Sequence, residues 1–278
     1  MHPWTSEKRS FSGGAQELYL DRIFSVIGTT NKYFVEFGFD APSYEAAQQA
    51  NTGKLYHDGW RGLLLDGGHE NKEINLQKKI LFADNIAKIF YVNDVPIEVD
   101  YVSCDMDSHD LWVLRAILEA GYRPRVMSSE YNVNYPLSAA LTIFDPTVSR
   151  TGSAGNNDTF SIKWLDCAFG SSAKALWMLA KSFGYELVGR VSYLDLIFVR
   201  ADLIEDWMLL PELEWFFRNE QLGRLFHMSL TDNDTLSRVI DFETYSKTLD
   251  FDLSHAAAME ILRRLDLECF RPLRKDLQ

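Results

Sequence analysis

The sequence predicts an α/β fold: a doubly wound, mostly parallel sheet with an antiparallel last strand, plus a C-terminal helical appendage. Three observations carry this expectation. Short apolar runs recur at roughly the spacing of βαβ units. Capped amphipathic stretches lie between them. Near the end, Glu186–Val191 and Leu194–Arg200 are β-rich and two residues apart, the spacing of a hairpin. The chain divides accordingly into an N-terminal extension (1–30), a sheet domain (31–204) and the helical appendage (205–278).

Each element has its own signal. Tyr33–Phe39 (YFVEFGF) is an apolar run broken by one acid, as suits a strand covered on both faces. Arg61–Asp66 (RGLLLD) is the second strand, Ile80–Ala83 (ILFA) the third, Tyr101–Cys104 (YVSC) the fourth and Arg125–Ser129 (RVMSS) the fifth. Between the last two lies a helix with Ser108 as its cap, Asp110 at its positive end, a stripe of Leu111, Leu114 and Leu118, and Gly121 as its stop. A second helix spans Ser172–Phe183, capped by Ser171 or Ser172 and stopped by Gly184. Residues 136–160 read as a long loop, and Gly152, Gly155, Asn156 and Asn157 suit a lid there. After residue 204 the pattern turns helical. Pro211 suits a first turn, Ser254 a cap, and Trp207, Trp215, Phe216 and Phe217 a docking face.

Composition bounds the function. The chain has 278 residues, 46% of them hydrophobic and 24% charged, which excludes disordered, collagen-like and disulfide-scaffold classes. A net charge of -12 disfavours nucleic acid and anionic membrane as partners. Cys104, Cys167 and Cys269 are widely spaced without a CxxC, fitting reduced thiols and arguing against a zinc site. No secretory signal or membrane span is visible, so the expected setting is cytoplasmic. Oligomeric state is left open, with a homo-oligomer among the choices.

In a doubly wound sheet, ligands bind outside the carboxyl ends of the strands. Each of the five strands ends in acid: Glu36 and Asp40, Asp66, Asp84 beside Asn85, Asp105 with Asp107, and Glu130 near Asn132. One such acid is a common helix cap, but five along one sheet edge point to a site. An acid closing the second strand typically accepts from a ribose diol, and Asp66 has that place. The first turn has Gly38 and then Asp40-Ala41-Pro42, where a pyrophosphate-binding cofactor would need G-x-G-x-x-G. An acid-rich, glycine-poor edge suits a cationic cofactor without phosphates, and S-adenosylmethionine has that chemistry.

These blocks carry a resemblance. YFVEFGFD (33–40), GWRGLLLDGG (59–68), EINLQKKILFADNI (73–86), DYVSCDMDSHDLWVLRAI (100–117), RPRVMSSEYNVNYP (123–136) and the helix and hairpin at 172–200 resemble the FkbM-type branch of class I S-adenosylmethionine-dependent methyltransferases. The resemblance covers roughly residues 30–202 and implies a Rossmann-like fold. It implies that Glu36 and Gly38 form the first cofactor motif, with Asp40 in the same turn. Asp66 would hold the ribose, Asp84 and Asn85 the adenine, and Asp105 the region near the methyl donor. Asp40-Ala41-Pro42 departs from the family's second small, Gly-rich turn.

Methyl transfer requires positioning and removal of the acceptor's proton. His109, just past the fourth strand, is the candidate base, with Asp105 and Asp107 beside it; a solvent-facing histidine in a first helical turn is the plainer reading. Alternatively, Asp105 or Asp107 with Glu130 and Asn132 offers hard oxygen ligands for Mg²⁺. Trp60, Trp112, Trp164 and Trp177 are core or acceptor-pocket walls. The expected activity is O-methylation of a small-molecule or sugar-like acceptor. The alternatives are a binding or scaffolding protein that keeps the fold without transfer, and a nicotinamide-dependent dehydrogenase lacking the glycine fingerprint.

Overall fold

The computed structural model describes residues 16–47, 50–106, 108–148, 167–191, 195–205, 210–218 and 233–265. Their strands are β1 (Tyr33–Phe37), β2 (Arg61–Asp66), β3 (Leu76–Lys78), β4 (Tyr101–Cys104), β5 (Val126–Glu130), β6 (Leu141–Ile143), β7 (Tyr185–Val191), β8 (Asp195–Arg200) and β9 (Val239–Asp241). Seven form one sheet in the order β3-β2-β1-β4-β5-β8-β7, and β6 pairs with β9. The pairs β1–β2, β1–β4, β2–β3 and β4–β5 are parallel; β7–β8 is antiparallel. The expected Rossmann-like sheet with its reversed closing hairpin is therefore the fold observed. The chain divides into two compact units, one of Met1–Met106, Val113–Ser129 and Ala180–Leu210, the other of Asp107–Trp112, Glu130–Leu179 and Pro211–Gln278.

In the first unit, all five residues of β1 are buried, as are Leu63, Leu64 and Leu65 of β2. These apolar runs, broken in β1 only by Glu36, are what a parallel strand covered on both faces requires. The third strand corrects the sequence reading. Ile80–Ala83 is not a strand, and Ile80 is 70% exposed. Its place is taken by the short edge strand β3, where only Leu76 is buried. The ILFA stretch is instead held as a loop by Asn85, which accepts from the Phe82 N–H at 3.0 Å and donates to the Ile80 carbonyl at 3.0 Å. Helix α1 (Gln16–Ile27) buries Leu20 and Ile23, and the Tyr19 ring lies over Gly189 of β7, where a Cβ would come within 2.9 Å of it. The remaining helices are α2 (Gly53–His57), α3 (Ile86–Val92), α4 (Asp110–Glu119), α5 (Ala173–Ser182), α6 (Asn233–Leu236), α7 (Phe242–Thr248) and α8 (Phe251–Arg264). Helix α5 has the expected cap, the Ser172 hydroxyl accepting from the Ala175 N–H at 3.1 Å, and its chain turns away at Gly184 with φ +78.

In the second unit, β6 lies inside the stretch read as loop, with Thr142 fully buried, and β9 adds a strand to a region expected to be helical throughout. Three residues per strand give too little alternation to announce themselves in sequence. Trp112 belongs to this core. Its indole N–H donates to the Ile143 carbonyl at 2.7 Å, and its ring meets Phe144, Phe242 and Tyr245 edge-on. The expected Ser254 cap is corrected: Asp250 caps α8, accepting from the Leu253 N–H at 3.0 Å, while Ser254 is a buried residue of the helix. Phe217 is buried edge-on to Tyr131, whereas Trp207, Trp164 and the lid residues 152–157 lie outside the described residues. Cys104 is a buried cysteine outside any disulfide, but Cys167 is disulfide-bonded, contrary to the expectation of reduced thiols throughout; Cys269 lies outside the described residues. No helix among the described residues is long and apolar enough to cross a membrane.

At the amino edge of the main sheet, the fully buried Asp100 carboxylate accepts from the N–H groups of Thr30, Asn31 and Lys32. Arg125 lies against it at 3.1 Å and donates to the Ile27 and Gly28 carbonyls that end α1. Removing a buried ionic partner strands the other charge. Asp100→Ala is therefore expected to cost about 3–5 kcal/mol in urea denaturation, and a loss under 1 kcal/mol would contradict this anchoring role.

Candidate functional site

The carboxyl ends of β1 and β2 bring together Glu36, Gly38, Asp40 and Asp66, all in the first unit. Glu36 is 2% exposed and its carboxylate faces the turn before α2. Oε1 accepts from the Asn51 N–H at 2.8 Å and Oε2 from the Thr52 N–H at 3.0 Å; the Thr52 hydroxyl also donates to Oε2. That hydroxyl is 3.0 Å from the Tyr44 hydroxyl. Glu36 thus spends its acceptors on its own chain. Burial pushes its carboxyl up to about 7 despite these donors.

Gly38 sits at φ +69, and a Cβ there would lie 2.1 Å from the Asp105 carbonyl oxygen. The residue is glycine because the backbones of two strand ends touch. Just beyond it, Asp40 is exposed at φ +48, and its N–H donates to Asp66 Oδ2 at 3.0 Å. Asp66 Oδ1 accepts from the N–H groups of Gly68 and His69 at 2.6 Å each and pairs with His69 Nδ1 at 3.0 Å. Burial pushes the Asp66 pKa up, but the N–H groups of Gly68, His69 and Asp40 outweigh it and hold the carboxyl below its usual range. Asp66 is therefore an ionised anchor that joins the turns after β1 and β2. His69 is the residue the sequence reading missed; its only signal was a position three residues after Asp66. Ligand atoms of Asp40, Asp66 and His69 lie within 4.8 Å of one another, a grouping not expected from sequence.

The remaining candidates fall in both units. Asp84 is exposed, while the Asn85 carboxamide is committed to the Ile80 and Phe82 backbone. Asp105 is half-buried in the first unit; Asp107 lies outside the described residues. His109 is not solvent-facing: it is 4% exposed, with Nδ1 2.8 Å from the Ser108 hydroxyl. It belongs to the second unit with Glu130 and Asn132, so the residues considered for Mg²⁺ divide between the two units. Asn132 shapes its own loop, donating to the Cys167 and Phe169 carbonyls at 2.9 and 2.7 Å and accepting from the Asn134 N–H at 2.8 Å.

Two outcomes test this geometry. The folded pKa of Glu36 lies above its unfolded value of 4.5, so its contribution to stability is fully present below pH 4.5 and lost as the pH rises through 7. Relative to Glu36→Gln, the wild type is expected to gain about 3 kcal/mol in urea denaturation between pH 8 and pH 5; a constant difference would exclude a buried titrating carboxyl. Gly38→Ala is expected to lose at least about 2 kcal/mol through backbone clash and strain, and a neutral result would separate the two strand ends.

No protein-family model matches the chain, and no curated protein matches it at a significant level. A functional reading rests on the chemistry of this edge.

Proposed function

We propose that the protein is an S-adenosylmethionine-dependent methyltransferase acting on an oxygen of a small-molecule or sugar-like acceptor. The observation that carries the reading is the pair Asp40 and Asp66. Asp66 is buried and ionised, and through the Asp40 N–H it holds a second, exposed carboxylate at the carboxyl ends of β1 and β2. Ligands of doubly wound sheets bind at such ends. Two carboxylates repel a pyrophosphate and attract a cation. When bound, S-adenosylmethionine supplies a methyl group on a sulfonium centre; the chain's part is to attract and orient that cation and to exclude water.

The division of labour differs from the simplest expectation. Asp66 already accepts four contacts from its own chain, so Asp40 is the carboxylate available to a cofactor hydroxyl or ammonium group. The sheet also argues against a dinucleotide enzyme. That class runs in the order 3-2-1-4-5-6, whereas here an antiparallel hairpin fills the place beside β5. A second reading, a binding protein that no longer transfers methyl groups, is favoured by the internal commitment of the Glu36 and Asn85 side chains.

Calorimetry separates these readings. S-adenosylmethionine and its demethylated product are expected to bind, and NADH is not. Asp40→Asn should weaken binding about tenfold or more, the worth of a charge-assisted hydrogen bond, with stability unchanged. Binding without methylation of any tested acceptor favours the second reading. No heat with either sulfur compound, or tighter binding of NADH, counts against the proposal.

A further inference from the structure

A line of buried polar side chains crosses the middle of the main sheet. Glu36, Ser103 and Ser128 occupy one register row, because Glu36 pairs with Ser103 across β1–β4 and Ser103 with Ser128 across β4–β5. Paired residues of parallel strands share a face. On that face the Ser128 hydroxyl donates to Ser103 Oγ at 3.3 Å, and the Asn51 carboxamide donates to the same oxygen at 3.1 Å. The Asn51 N–H then reaches Glu36. At the far end, Gln16 of α1 donates from Nε2 to the Tyr101 hydroxyl at 2.6 Å and to Ser128 Oγ at 2.8 Å. Five of the six residues are at most 2% exposed; Asn51, at the sheet's carboxyl edge, is the partly exposed member.

Burying so many polar atoms is costly unless each is satisfied, and a partly satisfied network is worse than an apolar one. The direction of donation gives this row a further property. The Gln16 amide nitrogen can only donate. It donates to both the Tyr101 and Ser128 oxygens and so holds the two hydroxyls together at the α1 end of the row. Tyr101 and Ser128 are themselves 2.8 Å apart, so Gln16, Tyr101 and Ser128 close a three-membered cluster from which Ser128 reaches Ser103.

We propose that Gln16 is a positioning residue for the candidate site: it ties helix α1 to this row of hydroxyls, and the row holds Asn51 and Thr52 at the carboxyl edge. The claim is independent of any ligand's identity and goes beyond the methyltransferase reading. It assigns to the N-terminal helix a role in the site that packing alone does not give it.

Amide hydrogen exchange on the full chain tests it. Gln16→Met keeps the length of the side chain and removes its donors. Exchange at the Asn51 and Thr52 amides, both bonded to Glu36, should then accelerate about fivefold or more, the worth of one hydrogen bond. Amides of β2 should be unchanged. Ser128→Ala, which removes one oxygen, should give the same local change even if Gln16→Met folds poorly. In both variants the Glu36 titration followed by carboxyl NMR should move upward, because its donors from Asn51 and Thr52 are held less firmly. Unchanged exchange at residues 51 and 52, or equal acceleration throughout the first unit with a fixed Glu36 midpoint, would overturn the proposal and leave Gln16 as a packing residue.

Discussion

A carboxylate cannot remain charged inside a protein unless donors surround it. Glu36 imposes that constraint at the centre of the main sheet, and much of the local structure answers to it. Its two oxygens draw in the N–H groups that open α2, fixing the turn at residues 51–52. The Thr52 hydroxyl that completes the set is held in turn by Tyr44, whose ring stacks on Tyr56 and packs edge-on against Phe39. Apolar packing beyond the strand end is therefore organised around one polar group. The compensation is incomplete, which is why the carboxyl sits near neutrality.

The neighbouring acids solve the same problem differently. Asp66 lies at a strand end where backbone N–H groups converge, and it stays ionised. Asp40 remains in contact with water and needs no internal donors. Three carboxylates within two strand ends thus have three electrostatic states: one near its midpoint, one anchored, one exposed. The exposed and ionised carboxylates are the physical basis for reading the edge as a cation site.

Much of the fold was legible in the sequence because it depends on local pattern. Buried parallel strands leave largely apolar runs, and YFVEF, RGLLLD and YVSC are such runs, each with a polar residue in it. Gly121 and Gly184 end their helices with positive φ, as read. The misreadings have a common origin in non-local choice. ILFA has strand composition, but the Asn85 side chain claims its backbone and β3 forms earlier. Asp250 displaces Ser254 as a cap because either residue type can serve and only the tertiary packing decides which one does. For the site, the acids at the strand ends were visible, whereas their partners were not. Nothing in QANTG announces that Asn51 and Thr52 will meet Glu36, or that Ser103 and Ser128 will share its row; those contacts follow from register.

The central claim is that the edge between β1 and β2 receives a cationic, phosphate-free cofactor through Asp40 while Asp66 keeps its internal bonds. A crystal structure with S-adenosylhomocysteine tests it most directly. The expected result is ligand density at the carboxyl ends of β1 and β2, with a cofactor hydroxyl or ammonium group on the Asp40 carboxylate and Asp66 still bound to Gly68 and His69. Density elsewhere on the chain, or a ligand that displaces Asp66 from those two N–H groups, would contradict it.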